Sequence, residues 1–134
     1  MDAHKILEGL GSYLCVLLII TFHEFGHAWM ASKCGDDTAR LQGRVSLNPI
    51  VHIDLMGTII LPLLVVFLNA AGSGLASFII GWGKPVPVNP ANLRRPRLDD
   101  VLVSMAGPAM NVVLALGVLA LARVGALAHV HVLI

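Results

Sequence analysis

Thr21-Phe22-His23-Glu24-Phe25-Gly26-His27 lies between two uncharged apolar flanks, Leu14-Cys15-Val16-Leu17-Leu18-Ile19-Ile20 and Ala28-Trp29-Met30-Ala31. His23 and His27 are four residues apart. On a helix that spacing puts both imidazoles on one face, about one turn from each other. Two neutral imidazoles so placed can hold one zinc ion, and Glu24 beside the first can take a proton from water at the metal. In a soluble chain the pattern would point to an ordinary zinc hydrolase. The flanks place it in a membrane helix instead. Burying His23, Glu24 and His27 in hydrocarbon is costly unless they face a protein-lined or wet cavity, so the cost itself argues for function. The plainer reading, two histidines bonded to neighbouring helices, leaves the intervening glutamate without a purpose.

The rest of the chain agrees with an integral membrane protein. Its 134 residues are 57% hydrophobic and only 13% charged, where a soluble domain carries about a quarter charged. The two cysteines, Cys15 and Cys34, form neither a disulfide framework nor a CxxC metal site and read as small packing residues. Met1–Gly9 carries Asp2, Lys5 and Glu8, and the run after it contains the motif, so it is not a removable signal peptide. There is no internal repeat, low-complexity tract or nucleic-acid-binding patch.

Three apolar segments stand out, residues 6–31, 56–82 and 100–123. The first, centred on Ile6–Met30, has ~25 residues at ~1.5 Å each, about 37 Å, enough to cross a ~30 Å hydrocarbon core with tilt. It should stop near Cys34-Gly35, with Gly35 as its cap. Residues 32–54 are polar, and Leu41–Leu47 alternates well enough for a short surface strand or hairpin. The second segment is broken by Pro62 and by Gly72-Ser73-Gly74. As one helix it would span; as two pieces of ~16 and ~8 residues it would make a re-entrant hairpin. Pro85, Pro87 and Pro90 then forbid a helix and favour an extended segment. Asp99-Asp100 suit the start of the next helix. Val101–Leu121 is the cleanest span, uncharged throughout, with Gly107 allowing close helix approach and Asn111 one turn further on the same face. Val124–Ile134 is too short to cross.

The basic residues choose between topologies. Lys33, Arg40 and Arg44 fall in the first loop and Lys84, Arg94, Arg95 and Arg97 in the second, with Lys5 and Arg123 elsewhere. If residues 56–82 cross once, the two faces carry five against four. If they re-enter, both loops share a face and the balance is seven against two, which the positive-inside rule prefers. The expectation is an all-α bundle of two full spans plus a broken or re-entrant segment, both loops cytoplasmic, the N-terminus outside, and short surface strands or extended loops between.

These residues resemble the site-2 protease family of intramembrane zinc metalloproteases. The match is carried by His23-Glu24-Phe25-Gly26-His27 and Gly107-Pro108-Ala109-Met110-Asn111. Gln42-Gly43-Arg44, Leu47-Asn48-Pro49, His52-Ile53-Asp54 and Gly83–Pro90 look like its small prokaryotic branch, so the resemblance covers roughly Leu14–Leu121. It implies a multi-pass protein of a prokaryotic cell membrane that cleaves peptide bonds in or near transmembrane segments. It also implies a catalytic Zn2+ on His23 and His27, Glu24 as general base, and a third ligand from an Asp-Gly motif. No such motif follows Asn111, so the expectation is one incomplete metalloprotease core over 1–134 with that ligand beyond Ile134. Asp54 and His52 are the nearest substitutes and resemble the family's own loop residues. His129 and His131 alternate and would point apart on a helix. Asn111 would donate to the oxyanion or simply join two helices. Lys84–Asn89 would hold an unwound substrate strand by edge pairing, within the limits its prolines set, or serve as a plain loop. The rival reading is a non-catalytic membrane protein, a degenerate relative binding a partner helix or a metal carrier. Oligomeric state is not readable.

Overall fold

The computed structural model describes residues 3–72 and 81–132, with 127–132 as backbone only. Helix α1 is Ala3–Lys33, α2 the single turn Thr38–Leu41, α3 Leu61–Ala70 and α4 Pro96–Val132. A π-helical turn over Leu55–Ile60 runs straight into α3, and two 3-10 turns occupy Pro49–His52 and Pro90–Asn92. Among the described residues there is no strand.

Two helices are long and apolar enough to cross a membrane, Ala3–Lys33 and Pro96–Ala126. Little of either is buried inside the chain: Leu7 is 74% and Leu121 74% exposed. A helix of a soluble core would bury such residues, so this surface is shaped for hydrocarbon.

The two helices run antiparallel. Arg94 N–H donates to the Cys34 carbonyl at 3.1 Å, and further along His27 meets Val103 and His23 meets Asn111. Their backbones approach closely at Gly26, where an added Cβ would lie 2.5 Å from the Ala106 carbonyl oxygen and 2.8 Å from Met110 Cγ. Small residues at such a crossing are what allow apolar helices to pack without a hydrophobic drive between them.

The end of α1 follows the expected pattern. Gly35 has φ +110°, the Asp36 N–H returns to the Ala31 carbonyl and the Gly35 N–H to Ser32, a complete Schellman cap. The strand or hairpin expected over Leu41–Leu47 does not form. Thr38–Leu41 is helical, and the cap is repeated: Gly43 has φ +69°, with Gly43 N–H on Arg40 and Arg44 N–H on Ala39. Those bonds satisfy the amides locally and curl the backbone away from any strand partner. α4 also outruns its expected end. Arg123 and Gly125 weaken a helix by at most about 1 kcal/mol each, and no proline follows to stop it.

The second apolar segment leaves and returns to the same place. From Leu55 it runs along α1 until Val66 packs on Gly9. Beyond residues 73–80, which include part of the expected short piece Leu75–Trp82 and lie outside the described residues, the Trp82 N–H donates to the Gly57 carbonyl at 3.1 Å. Thr58 Oγ1 donates to the Trp82 carbonyl at 2.7 Å, and the Lys84 N–H to His52 at 2.8 Å. Pro62 follows the π-helical turn without a break and has no N–H for that turn, where the Gly57 carbonyl takes the Trp82 N–H instead. The two ends of the segment therefore meet.

Both basic loops gather at this end, around Asp36. Fully buried, it accepts from Thr38 N–H at 3.1 Å, Thr38 Oγ1, Asn89 N–H at 2.6 Å and Asn92 Nδ2 at 3.1 Å. Burial alone would raise its carboxyl, but those hydrogen bonds outweigh it and hold the group below the ordinary value. A depressed carboxyl stabilises the fold above its unfolded pKa of ~3.9, and that stability is lost as pH falls through the folded value. Melting in detergent should therefore show lower stability at pH 3 than at pH 7. Asp36→Ala should cost about 1–3 kcal/mol at pH 7 and flatten the acid-side loss.

Candidate metal centre

The motif occupies the loop-side half of α1, and helix geometry brings its histidines together as their spacing requires. His23 and His27 lie edge to face, centroids 4.6 Å apart, with their Nε2 atoms 3.0 Å from each other. The other nitrogen of each ring is held by α4. His27 Nδ1 bonds to the Val103 carbonyl at 2.7 Å, and His23 Nδ1 to Asn111 Nδ2 at 3.2 Å. A carbonyl only accepts, so His27 carries its proton on Nδ1 and turns a lone pair into the groove.

Gly107 forms the opposite wall. A Cβ there would lie 2.4 Å from His27 Nε2 and 2.8 Å from His23 Nε2. The space where the two nitrogens converge is thus open because residue 107 has no side chain. Tetrahedral zinc with ~2.0–2.1 Å bonds sets two ligand nitrogens about 3.3 Å apart, within a few tenths of an ångström of the observed separation. The donor set, its fixed histidine and this cradle fit a zinc-type ion. Among the described residues no cluster of three or more His, Cys, Asp or Glu side chains forms a complete metal site.

His23, Glu24, His27 and Asn111 all line one cavity of about 560 Å³. Its far wall is the extended stretch 81–88, including Trp82, Gly83, Pro85, Val86 and Val88, and Asp100 and Ser104 of α4 complete it. Gly83 packs against Ile20 and Glu24, where a Cβ would lie 2.6 Å from Ile20 Cγ2. The Val86 amide donates to the Glu24 carboxylate.

Arg44 is the neighbour that sequence reasoning left in the loop. It is buried, its guanidinium donates to the Lys84 and Pro85 carbonyls, and its charge faces Glu24. Burial presses its pKa down and the Glu24 carboxylate opposes that. No periodicity links positions 24, 44 and 85, so nothing local could have paired them.

The substitute ligands do other work. Asp54 caps the π-helical turn, its Oδ1 accepting from Met56 N–H at 3.1 Å and Gly57 N–H at 2.7 Å. His52 is buried with Nε2 on the Ser46 carbonyl at 2.8 Å, and burial, opposed by that bond and aided by Arg44, keeps it below its usual pKa. The side chains of His129 and His131 lie outside those described.

The sequence profile of peptidase family M50 matches residues 12–130. The chain belongs to that family. This M50 chain is 47% identical over 105 residues to YwhC of Bacillus subtilis, a candidate zinc metalloprotease by its name, covering 77% of this chain and 42% of YwhC. Rip2 of Mycolicibacterium smegmatis, named in the same way, is 30% identical over 128 residues, covering 91% of this chain and 45% of Rip2. Rip2 of Mycobacterium tuberculosis is 33% identical over 108 residues, 80% of this chain and 38% of that protein. The chain thus spans less than half the length of these relatives. No solved structure matches it.

Gly107→Ala tests the cradle. Alanine is the better helix former, so helix content by circular dichroism should hold or rise. Zn2+ binding, read by chelator competition, should weaken tenfold or more, because the new methyl occupies the point where the imidazoles converge.

Proposed function

We propose that this chain is the core of an intramembrane zinc metalloendopeptidase that hydrolyses peptide bonds in or near transmembrane segments of other membrane proteins. The observation that carries the reading is the pair of Nε2 atoms converging at Gly107, in a cavity that Glu24 also lines. Membership in M50 supports the protease assignment, and the named zinc metalloproteases among the relatives support the metal.

His23 and His27 are the residues that would hold zinc, and bound zinc supplies a Lewis acid that polarises a carbonyl and lowers the pKa of water to ~7. Glu24 acts on the proton. Its carboxylate takes one from the attacking water as the new C–O bond forms. It returns that proton to the amine nitrogen as the C–N bond breaks. Arg44 faces Glu24 from the loop, its guanidinium held there by the Lys84 and Pro85 carbonyls. Meanwhile the Val86 amide on Glu24 keeps the carboxylate turned toward the extended stretch.

That stretch suits an unwound substrate. A helix hides its scissile carbonyls in its own hydrogen bonds, so cleavage requires local unwinding. Pro85 and Pro87 have no N–H to offer, and Arg44 already occupies the carbonyls of Lys84 and Pro85. The Val86 amide is taken by Glu24, which leaves Val88 as the cavity-lining position whose amide can meet a substrate. Edge pairing there would hold a short substrate segment across the zinc position rather than a long strand.

In the bilayer, α1 and α4 are the full spans, and the segment 55–82, whose ends meet at Gly57 and Trp82, is the re-entrant element. Both basic loops then face the cytoplasm of a prokaryotic cell.

The metal and the base are separable. Wild-type protein expressed to its natural stop codon should carry one zinc per chain, and His23→Ala should lose it. Glu24→Gln should keep the zinc yet abolish cleavage of a membrane-embedded substrate. Absence of zinc from the wild type, or turnover surviving in Glu24→Gln, would overturn the assignment. For topology, cysteines at positions 40 and 94 should both react with an impermeant reagent from the cytoplasmic side. Labelling of the two from opposite sides would reject the re-entrant arrangement.

A further inference from the structure

We propose that Asn111 is a positioning residue whose side-chain amide turns over to satisfy His23 Nδ1 in both ring tautomers, so that His23 Nε2 becomes a free lone pair when zinc binds. The inference deepens the zinc reading and rests on it.

The hydrogen bonds in the groove have a direction. His27 Nδ1 donates to the Val103 carbonyl at 2.7 Å, which leaves its Nε2 as an acceptor. The 3.0 Å contact between the two Nε2 atoms then needs a proton on His23 Nε2. His23 Nδ1 is therefore an acceptor too, and Asn111 Nδ2 donates to it at 3.2 Å. The relay runs Asn111 to His23 to His27 to Val103, and each donor in it has an acceptor. It is self-consistent, and it blocks the metal, because one of the two nitrogens carries hydrogen.

Metal binding needs both lone pairs. His23 must keep a neutral ring while one proton leaves Nε2 and another, by exchange with water, is taken up at Nδ1. The new Nδ1–H requires an acceptor. Asn111 carries one on the same amide: its Oδ1 is buried and bonds to no group among the described residues. Half a turn about the terminal torsion exchanges Oδ1 with Nδ2 and gives up no other bond of the oxygen. A ligating histidine that donates its second N–H to a carbonyl or carboxylate is a general feature of metal sites, and losing that partner weakens binding about 10–100-fold. An amide serves the free and the loaded state alike; a carboxylate serves only the loaded state, and an aliphatic side chain neither.

The test is zinc affinity of the intact chain in detergent, by competition with a chromogenic chelator, for wild type, Asn111→Leu and Asn111→Asp. The expected result is a 10–100-fold loss in the leucine variant and an aspartate variant close to wild type. In parallel, 15N chemical shifts of the wild-type imidazoles should show His23 protonated on Nε2 without zinc and on Nδ1 with it, a readout that does not depend on any variant folding. Wild-type affinity in Asn111→Leu would overturn the proposal and leave Asn111 as a donor to substrate alone. Equal loss in both variants would overturn it in favour of plain helix packing, as would an unchanged His23 tautomer. A wild type that takes up no zinc would sink the metal reading itself, and is distinguishable because no variant comparison is then needed.

Discussion

The approach of α1 to α4 at Gly26 and Gly107 sets what the rest of the molecule can do. Both positions lack a side chain where one would strike the opposite helix, its backbone in one case and the paired imidazoles in the other. Only at that separation does His27 reach a carbonyl of α4 and His23 an amide of α4. In hydrocarbon there is little hydrophobic drive between helices, so close backbone contact and interhelical hydrogen bonds must supply the attraction. The convergence of the imidazoles and the helix pairing are therefore the same set of contacts seen from two sides.

That economy answers the cost of polar groups in a membrane. His23, Glu24, His27 and Asn111 all face one cavity, while the outer faces present leucine and valine. Most of the charged residues are gathered at one end, around Asp36 and Arg44. Asp36 ties the first loop to Asn89 and Asn92, and Arg44 ties it to Lys84 and Pro85. These two anchors fix the ends of the extended stretch that walls the cavity. The loops thus have a mechanical role at the site although they lie outside the spans.

The sequence announced the site more plainly than the fold around it. Four-residue spacing of His23 and His27 fixes their common face whatever surrounds them, and Gly107 and Asn111 share a face of α4 for the same reason. Gly35 as a cap follows from the one backbone conformation glycine adopts cheaply. Leu41–Leu47 misled because alternation is only a pattern, and Gly43 with its second Schellman cap offered the amides a nearer partner. Arg44 was invisible as a neighbour of Glu24 because its place depends on two long-range ties, to residues 84 and 85. The lysine and arginine counts speak of charge across a membrane and not of packing, so they are silent on the meeting of the broken segment's two ends. Its physical cause, the bonds from Trp82 to Gly57 and from Thr58 to Trp82, has no local signal.

Gly107-Pro108 shows how two adjacent residues can prepare one helix for another. The glycine supplies room for the imidazoles. The proline, inside α4, has no N–H for the Ser104 carbonyl, and its ring presses on that carbonyl and loosens the turn. Ser104 lines the cavity, where a carbonyl without its helical partner can meet water. The next carbonyl back, Val103, is the one His27 takes. That carbonyl accepts from His27 Nδ1 and so fixes which nitrogen of the ring carries the proton. Gly107 thus leaves room and Val103, four residues before it, supplies the backbone acceptor, and together they set the place of His27.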